Sequence, residues 1–343
     1  MKFVKFDRSP PRFPRRRAIQ GLGLAWLSIR TLAAGAQVPS TAASDFPSRP
    51  LRLVVPFAPG GSADVYGRAI AVRLQEALGQ SVIVDNRPGA GSIIGTDAVA
   101  KSPPDGYTLL LMSNTHTVNE SLIPGKPFAL LRDFAPIAPI NSSDLVLVTR
   151  PDLPVANLAD LLKLAKRRPG ALTYASSGPG TPYHMAGELF KAMAGVSILH
   201  IPYKGSSGAR TDLLGGQVDM MFDAVTTMSE FARSGKVKAL ATTGLKRSAV
   251  MPELPTVAEA GVPNYEATIW LGLMAPKATP AAIVQRLNAE LGKIAANPEV
   301  IKSWTAQGAQ PMTMGSDDFA RYISVDIAKW ARIVKLSGAK ADQ

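Results

Sequence analysis

No cysteine occurs among the 343 residues. That absence excludes disulfides, thiolate metal sites, cysteine nucleophiles and a lipid-anchoring cysteine, so the fold must rest on its own apolar core. Histidine is scarce as well: His116, His184 and His200 stand apart, without the H-E-x-x-H spacing that holds a catalytic metal. Aromatic residues make up only 6% of the chain, too few to supply stacking platforms for nucleic-acid bases. There is neither a G-x-S-x-G elbow nor a G-x-x-x-x-G-K-[ST] phosphate loop. What remains, 46% apolar and 19% charged, is the composition of a chain that folds around a core.

The formal charge of +12 is unevenly placed. Residues 1–36 hold eight Lys/Arg and one acid, a net of +7, which leaves +5 for everything after them. A basic segment ending in Arg15-Arg16-Arg17, an apolar run over 18–29 closed by Arg30, and the small-x-small trio Ala34-Gly35-Ala36 together read as a signal peptide over 1–36. The paired arginines also admit a twin-arginine signal. The apolar run is too short to span a bilayer. A linker over 37–45 follows, and the expectation is an exported, unanchored protein with no nucleic-acid partner.

The organising stretch is Pro56-Phe57-Ala58-Pro59-Gly60-Gly61-Ser62-Ala63-Asp64. It follows the apolar run Leu51–Val55 and precedes a helix-period segment over 65–78, so a buried strand enters a Gly-Gly turn and then a helix. The first N–H groups of such a helix lack carbonyl partners and lie at the positive end of its dipole, which makes an anion site. Four more loops share this setting at 89–92, 113–117 (with Ser113 and Thr115), 176–181 and 204–208. All follow strands and are rich in Gly, Ser, Thr or Asn. Ligands of open α/β sheets collect outside the carboxyl ends of the strands, so the set points to one binding cleft. Any single loop of this kind is explained equally well by turn geometry.

The βα pattern runs from residue 46 to about 112, restarts near 145 after a Pro-rich passage over 124–139, and returns through an apolar run at 267–275. The predicted architecture is α/β with two lobes, each a mostly parallel sheet flanked by helices. The first comprises 46–144 plus 270–343 and the second 145–269, joined by two crossing strands. The last helix is predicted from Ser316, as N-cap, to about Leu336, with Phe319, Ile323, Ile327, Trp330 and Val334 on its core face.

The inventory for catalysis is thin. Ser176 or Ser177 beside His184 offers a nucleophile–base pair without a third member. Asp64 is a first-turn helix residue favoured by the dipole, while Asp223, at a strand's C-terminal end, is the better placed to meet a ligand amine or an ordered water. Gly89-x-Gly91-x-x-x-Gly95 departs from the dinucleotide fingerprint, and Asp105 lies in a turn where no ribose is held, so no cofactor is expected.

The opening stretch, Asn86-Arg87-Pro88-Gly89-Ala90-Gly91, Pro104-Asp105-Gly106-Tyr107, Ile201-Pro202-Tyr203-Lys204-Gly205-Ser206, Asp212-Leu213-Leu214-Gly215-Gly216-Gln217-Val218-Asp219 and Pro255-Thr256-Val257-Ala258-Glu259-Ala260-Gly261 resemble the Bug family, in order, over about 46–340. These are extracytoplasmic receptors of tripartite tricarboxylate transporters. The resemblance implies a type II-like periplasmic binding protein, monomeric and without catalytic or metal residues. It would close on a small organic carboxylate (a di- or tricarboxylate, an acidic amino acid or an aromatic acid) for a membrane permease or for sensing. An exported enzyme acting on a carboxylate in the same cleft is the alternative. The resemblance implies that two loops pinch the carboxylate, Ala58, Gly60, Gly61 and Ser62 facing Ser177, Gly178 and Thr181. Phe57, Asp64, Ser113, Thr115, His184, Tyr203, Lys204 and Asp223 complete the candidate ligand shell. Ser92-Ile93-Ile94 and Asp223-Ala224-Val225 depart from the commonest family forms, in loops expected to face the distal part of the ligand.

Overall fold

The computed structural model describes residues 45–341; the leader and all but the last residue of the linker lie outside them. The first lobe opens with β1 (Leu51–Val55), α1 (Ser62–Leu78), β2 (Val82–Asn86), α2 (Ile93–Ala100), β3 (Thr108–Ser113), α3 (Asn114–Leu122) and the short α4 (Leu130–Asp133). The long strand β4 (Phe134–Thr149) then leads into α5 (Leu158–Arg167), β5 (Thr173–Ser176), α6 (Pro182–Ala194), β6 (Leu199–Pro202), α7 (Ser206–Leu214), β7 (Met220–Ala224), α8 (Val225–Arg233) and β8 (Lys238–Thr242). The chain returns through β9 (Thr268–Pro276), α9 (Ala281–Ala296), α10 (Pro298–Ala306), β10 (Ala309–Pro311) and α11 (Ser316–Ser337).

Strand order is β2-β1-β3-β9-β4-β7-β5-β6, with β10 and β8 also on β4. Only β2-β1-β3 and β7-β5-β6 are parallel; β9 and β4 run against their neighbours, so each lobe carries a mixed sheet where a mostly parallel one was expected. One strand serves both lobes. Residues 134–144 of β4 pair with β9, and residues 145–149 pair with β7 and β8.

The Pro-rich passage does not read as a strand, because proline cannot donate to a ladder. The structure accommodates it by shifting register at Pro136/Ala138 and again at Pro139/Asn141. The crossing near residue 144 is therefore continuous strand.

Alternation along the strands feeds a core on each face. In the first lobe Leu53, Val55, Leu109 and Leu273 face α1 and α9, while Val54, Leu110, Met112 and Trp270 face Phe319 and Ile323 of α11. In the second, Leu145 and Leu147 join Tyr174, Phe190, Phe222 and Tyr265, and Val146 and Val148 join Met221 and Met228 on the other side. The longest helix, α11, packs against α3 of one lobe and α6 of the other. Its core face holds Phe319, Ile323 and Trp330 fully buried. Gly315, not Ser316, is its N-cap; the Ser316 hydroxyl instead donates to the Ile137 carbonyl at 3.0 Å. Among the described residues no helix is long and apolar enough to cross a membrane.

Gly272, in the crossing strand β9, sets how closely α11 can approach. A Cβ there would lie 2.3 Å from Cζ of Phe319. Gly272→Ala is therefore expected to destabilise the chain by about 1–3 kcal/mol in urea melts, and Phe319→Leu in the same chain to recover part of that loss.

Candidate functional site

The turn after β1 is shaped by Asp64. Its Oδ2 accepts from the Gly60 N–H at 3.0 Å, its Oδ1 accepts from Asn86 Nδ2 at 3.0 Å, and Arg68 pairs with it at 2.9 Å. Burial pushes this carboxyl upward, but Arg68, the Gly60 amide and Asn86 outweigh that and hold it below the ordinary carboxylate range. Gly60 has φ +81°, a conformation that suits glycine. The carboxylate thus folds the loop from behind and takes up one of its donors. It leaves Gly61 as the N-cap of α1 with no side chain capping the helix.

Beside that turn lies a cavity of about 510 Å³, within the range of small-molecule sites. All five loops singled out from the sequence contribute to its wall. Of the fifteen candidate ligand residues, Phe57, Ala58, Gly61, Ser62, Ser113, Thr115, Ser177, Thr181, Tyr203 and Lys204 line it. Gly60, Asp64, Gly178, His184 and Asp223 do not.

Five helices begin at this wall, and they divide into two kinds. The Ser113 hydroxyl accepts from the Thr115 N–H, and His116 completes a capping box for α3; the Thr181 hydroxyl accepts from the His184 N–H for α6. By contrast α1 (N-cap Gly61), α2 (N-cap Ser92) and α7 (N-cap Gly205) carry no side-chain cap. Three helix starts without a side-chain cap therefore lie at the cavity wall, and at α2 the Ile93 N–H donates to the Ala90 carbonyl. The lining contains two lysines, Lys126 and Lys204, and no Asp or Glu. Such a wall favours a small anion.

The two halves of the wall touch. The Ser207 hydroxyl donates to the Pro59 carbonyl at 2.9 Å, and Ser62 Oγ and the Tyr183 hydroxyl are 3.0 Å apart. Farther out, the Tyr66 hydroxyl meets Thr226 Oγ1 at 3.0 Å. Arg210 spans the gap most completely: one terminal nitrogen donates to the Gly60 carbonyl at 2.8 Å and to Ser206 Oγ at 3.0 Å. Its Nε lies 2.9 Å from Asp223 Oδ2, an ion pair without the alignment of a hydrogen bond. Asp223 is fully buried, and burial lifts its carboxyl to about 6 against the opposing charge of Arg210. The structure places Asp223 behind the wall, where it anchors the arginine that pins the 58–61 loop.

His184 also works from behind. Its Nδ1 accepts from the Gly180 N–H at 3.1 Å, and burial, then His200 and Lys191, lowers it to about 3, so the ring is neutral at physiological pH. It stacks on His200 at 4.2 Å, whose Nε2 is 2.7 Å from Ser176 Oγ, and that oxygen accepts from the Gly178 N–H at 3.1 Å. Of the pair offered as nucleophile and base, Ser176 and His184 therefore brace the 176–181 loop behind the wall, while Ser177 lines the cavity. His116 is likewise buried and lowered to about 4 by desolvation.

Sequence reasoning missed Lys126, whose buried ammonium lies 3.0 Å from Glu120 Oε1, because nothing in the Pro-rich stretch around it signals a cavity. It missed Tyr183 as a wall residue too, and did not name Ser92 or Ser206 among the candidate ligand residues although both lie in loops it singled out. Among the described residues no cluster of His, Asp and Glu is arranged to hold a metal ion.

Comparison with known proteins adds to this geometry. Residues 66–339 match the model of the tripartite tricarboxylate transporter family receptor. Protein BugT of Bordetella pertussis is 41% identical over 319 residues, which cover 92% of this chain and 98% of that protein. A protein encoded in the tcbD-tcbE intergenic region of Pseudomonas sp. (strain P51) is 40% identical over 93% of this chain and 94% of its own. Among solved structures, an R. palustris protein with adipate superposes at a TM-score of 0.84, with 36% identity over 86% of this chain and 99% of that one. MatC from Rhodopseudomonas palustris, with bound malate, gives 0.80, with 31% identity over 84% and 100%.

The Arg210–Asp223 pair makes a pH-dependent prediction. Arg210→Ala leaves a buried carboxylate unpaired, which costs about 3–5 kcal/mol. A carboxyl raised in the folded state above its ordinary 3.8 contributes stability that is complete below that value and lost as pH rises through about 6. The destabilisation by Arg210→Ala, measured by urea unfolding, is therefore expected to be largest at pH 8 and to shrink at pH 5.

Proposed function

The chain belongs to the tripartite tricarboxylate transporter receptor family, and from that premise we propose that it is a periplasmic receptor that closes two lobes, 46–144 plus 270–343 and 145–269, around a small organic carboxylate. The observation that carries this reading is the cavity wall itself, with three uncapped helix starts, two lysines and no acidic side chain. One carboxylate of the ligand takes the N–H groups at the start of α1. Hydroxyls of Ser62 on one side and of Ser177 on the other complete the seat, Thr181 holds the facing loop by capping α6, and Phe57 and Tyr203 cover the apolar body. The Tyr203 hydroxyl is occupied by Asp212, so this residue offers the ligand its ring.

The relatives solved with adipate and with malate support the ligand class. The leader over 1–36 supplies the route of export, and a permease of the tripartite tricarboxylate type is the partner that receives the ligand. The family is one of receptors, and the enzyme alternative has no support from it. No histidine or carboxylate lines the cavity to move a proton.

Closure provides the working motion. Ligand bound between the lobes adds its contacts to Ser207–Pro59 and Arg210–Gly60, so the closed arrangement gains population in proportion to its differential affinity. Saturation at a hundred times Kd stabilises the chain by about 2.7 kcal/mol, which a thermal-shift screen of dicarboxylates, tricarboxylates, amino acids and aromatic acids reads directly.

Gly61→Val tests the seat. A Cβ there meets Ser206 Oγ at 3.1 Å and the Ala58 carbonyl at 3.9 Å, and the backbone φ of −85° accepts a side chain, so the fold is kept while bulk enters the anion site. Calorimetry with adipate and malate is expected to show at least a hundredfold loss of affinity with an unaltered circular dichroism spectrum. Unchanged affinity, or consumption of the acid by wild-type protein, would contradict the reading.

A further inference from the structure

The turn that opens α2 is unlike the other two uncapped starts. From Gly89 to Ser92 every residue has positive φ: 132°, 46°, 61° and 77°. Two of the four, Ala90 and Ser92, carry side chains in a region that L-residues visit rarely, and successive left-handed residues are rarer still. Such strain persists only where the surroundings impose it, and it concentrates at functional sites.

The surroundings here are a set of largely buried hydrogen bonds. Asn119 Nδ2 donates to the Gly91 carbonyl at 2.8 Å. The Thr96 hydroxyl donates to the Ser92 carbonyl at 2.8 Å and lies 3.0 Å from His116 Nε2. With the Ser113 N–H donating to His116 Nδ1, the proton of that neutral ring sits on Nε2 and points to Thr96. A buried chain from His116 through Thr96 therefore fixes the Ser92 backbone.

The Ser92 hydroxyl has no partner in this arrangement. The residue is 3% exposed, its Oγ is buried without a hydrogen bond, and it lines the cavity. A buried hydroxyl left unpaired is costly, and here it belongs to a residue whose backbone is strained as well. Glycine would relieve both penalties. The other polar groups of the wall are engaged or peripheral. Lys126 is paired with Glu120, Lys204 is exposed, the Ser113 and Thr181 hydroxyls cap helices, and Ser62 and Ser177 belong to the seat at α1.

We propose that Ser92 is a specificity-determining residue of this cavity: its unpartnered hydroxyl, at the start of α2, receives the second carboxylate of a dicarboxylate ligand. The inference rests on the receptor reading above and names the ligand class that this chain's own wall selects. The first carboxylate occupies the start of α1; the second finds at α2 a helix start without a side-chain cap and the orphan Ser92 hydroxyl. Gly91 keeps this pole inside the closed cleft, since a Cβ on it would lie 3.1 Å from the Pro179 carbonyl of the facing loop.

The test is calorimetry of the full chain and its Ser92→Gly and Ser92→Ala variants against succinate, glutarate, adipate and malate, and against butyrate, pentanoate and hexanoate. Wild type is expected to bind at least one diacid tenfold or more tightly than the monoacid of equal length. Both variants should lower that ratio at least fivefold, with monoacid affinity held within twofold. The unliganded Ser92→Gly chain, freed of a strained side chain, should melt no lower than wild type. Equal binding of diacid and monoacid by wild type would overturn the proposal. So would a ratio unchanged in both variants, or an equal fall for both acids, which marks a structural effect. Absence of binding by any of these acids to wild type would instead sink the receptor reading, and the inference with it.

Discussion

The first turn of α1 has no side chain to cap it, and the geometry of the site follows from how that deficit is managed. Unsatisfied N–H groups at a helix start must find water, a side chain or a ligand. In this chain the neighbouring carboxylate, Asp64, turns back onto Gly60 and Asn86 and leaves the N–H groups beyond Gly61 facing the cavity. The same solution recurs at Gly205 of α7, and with a strained serine at α2. Helix starts at the same wall that serve architecture, those of α3 and α6, are capped internally by Ser113 and Thr181. Capped ends hold the scaffold, and uncapped ends lie at the cavity wall.

Closure depends on a second arrangement that keeps charge out of the cavity. Asp223 and Arg210 form their ion pair behind the wall, and the arginine's free end reaches the Gly60 carbonyl on the opposite loop. A positive group is thus available to lock the cleft without adding an acidic side chain to the lining. Because β4 contributes to the sheets of both lobes, the contacts at the cleft are referred to one continuous strand and to α11, which packs on α3 and α6. The neutral histidines behind the 176–181 loop stiffen it in the same spirit, by accepting backbone N–H groups and not by exchanging protons.

Much of this was legible in the residues. The alternation of apolar runs with Gly/Ser/Thr loops located the strands, the helices and the five loops at the wall, since period and punctuation are local properties. Family motifs such as Pro59-Gly60-Gly61 and Tyr203-Lys204-Gly205 placed the ligand class. What local pattern does not carry is where a side chain spends its hydrogen bonds. Asp64, Gly60, Gly178, His184 and Asp223 all sit in or beside the right loops, yet none lines the cavity, because the loops have an inner and an outer side that sequence does not distinguish. Ser113-Asn114-Thr115-His116 reads as loop and proves to be a capped helix start. The strand through Pro136 and Pro139 was hidden by the residues that make its register shift. Ser92 was visible as a departure from family pattern, but its left-handed backbone and orphan hydroxyl are properties of the folded turn.

The most direct test of the account is a crystal structure of the chain bound to whichever carboxylate it binds most tightly. The account predicts one carboxylate within hydrogen-bonding distance of the N–H groups at Gly61, Ser62 or Ala63, closed over by the 176–181 loop, with Arg210 still on the Gly60 carbonyl. A ligand whose carboxylate sits on Lys126 or Lys204, with the start of α1 left to water, would contradict it.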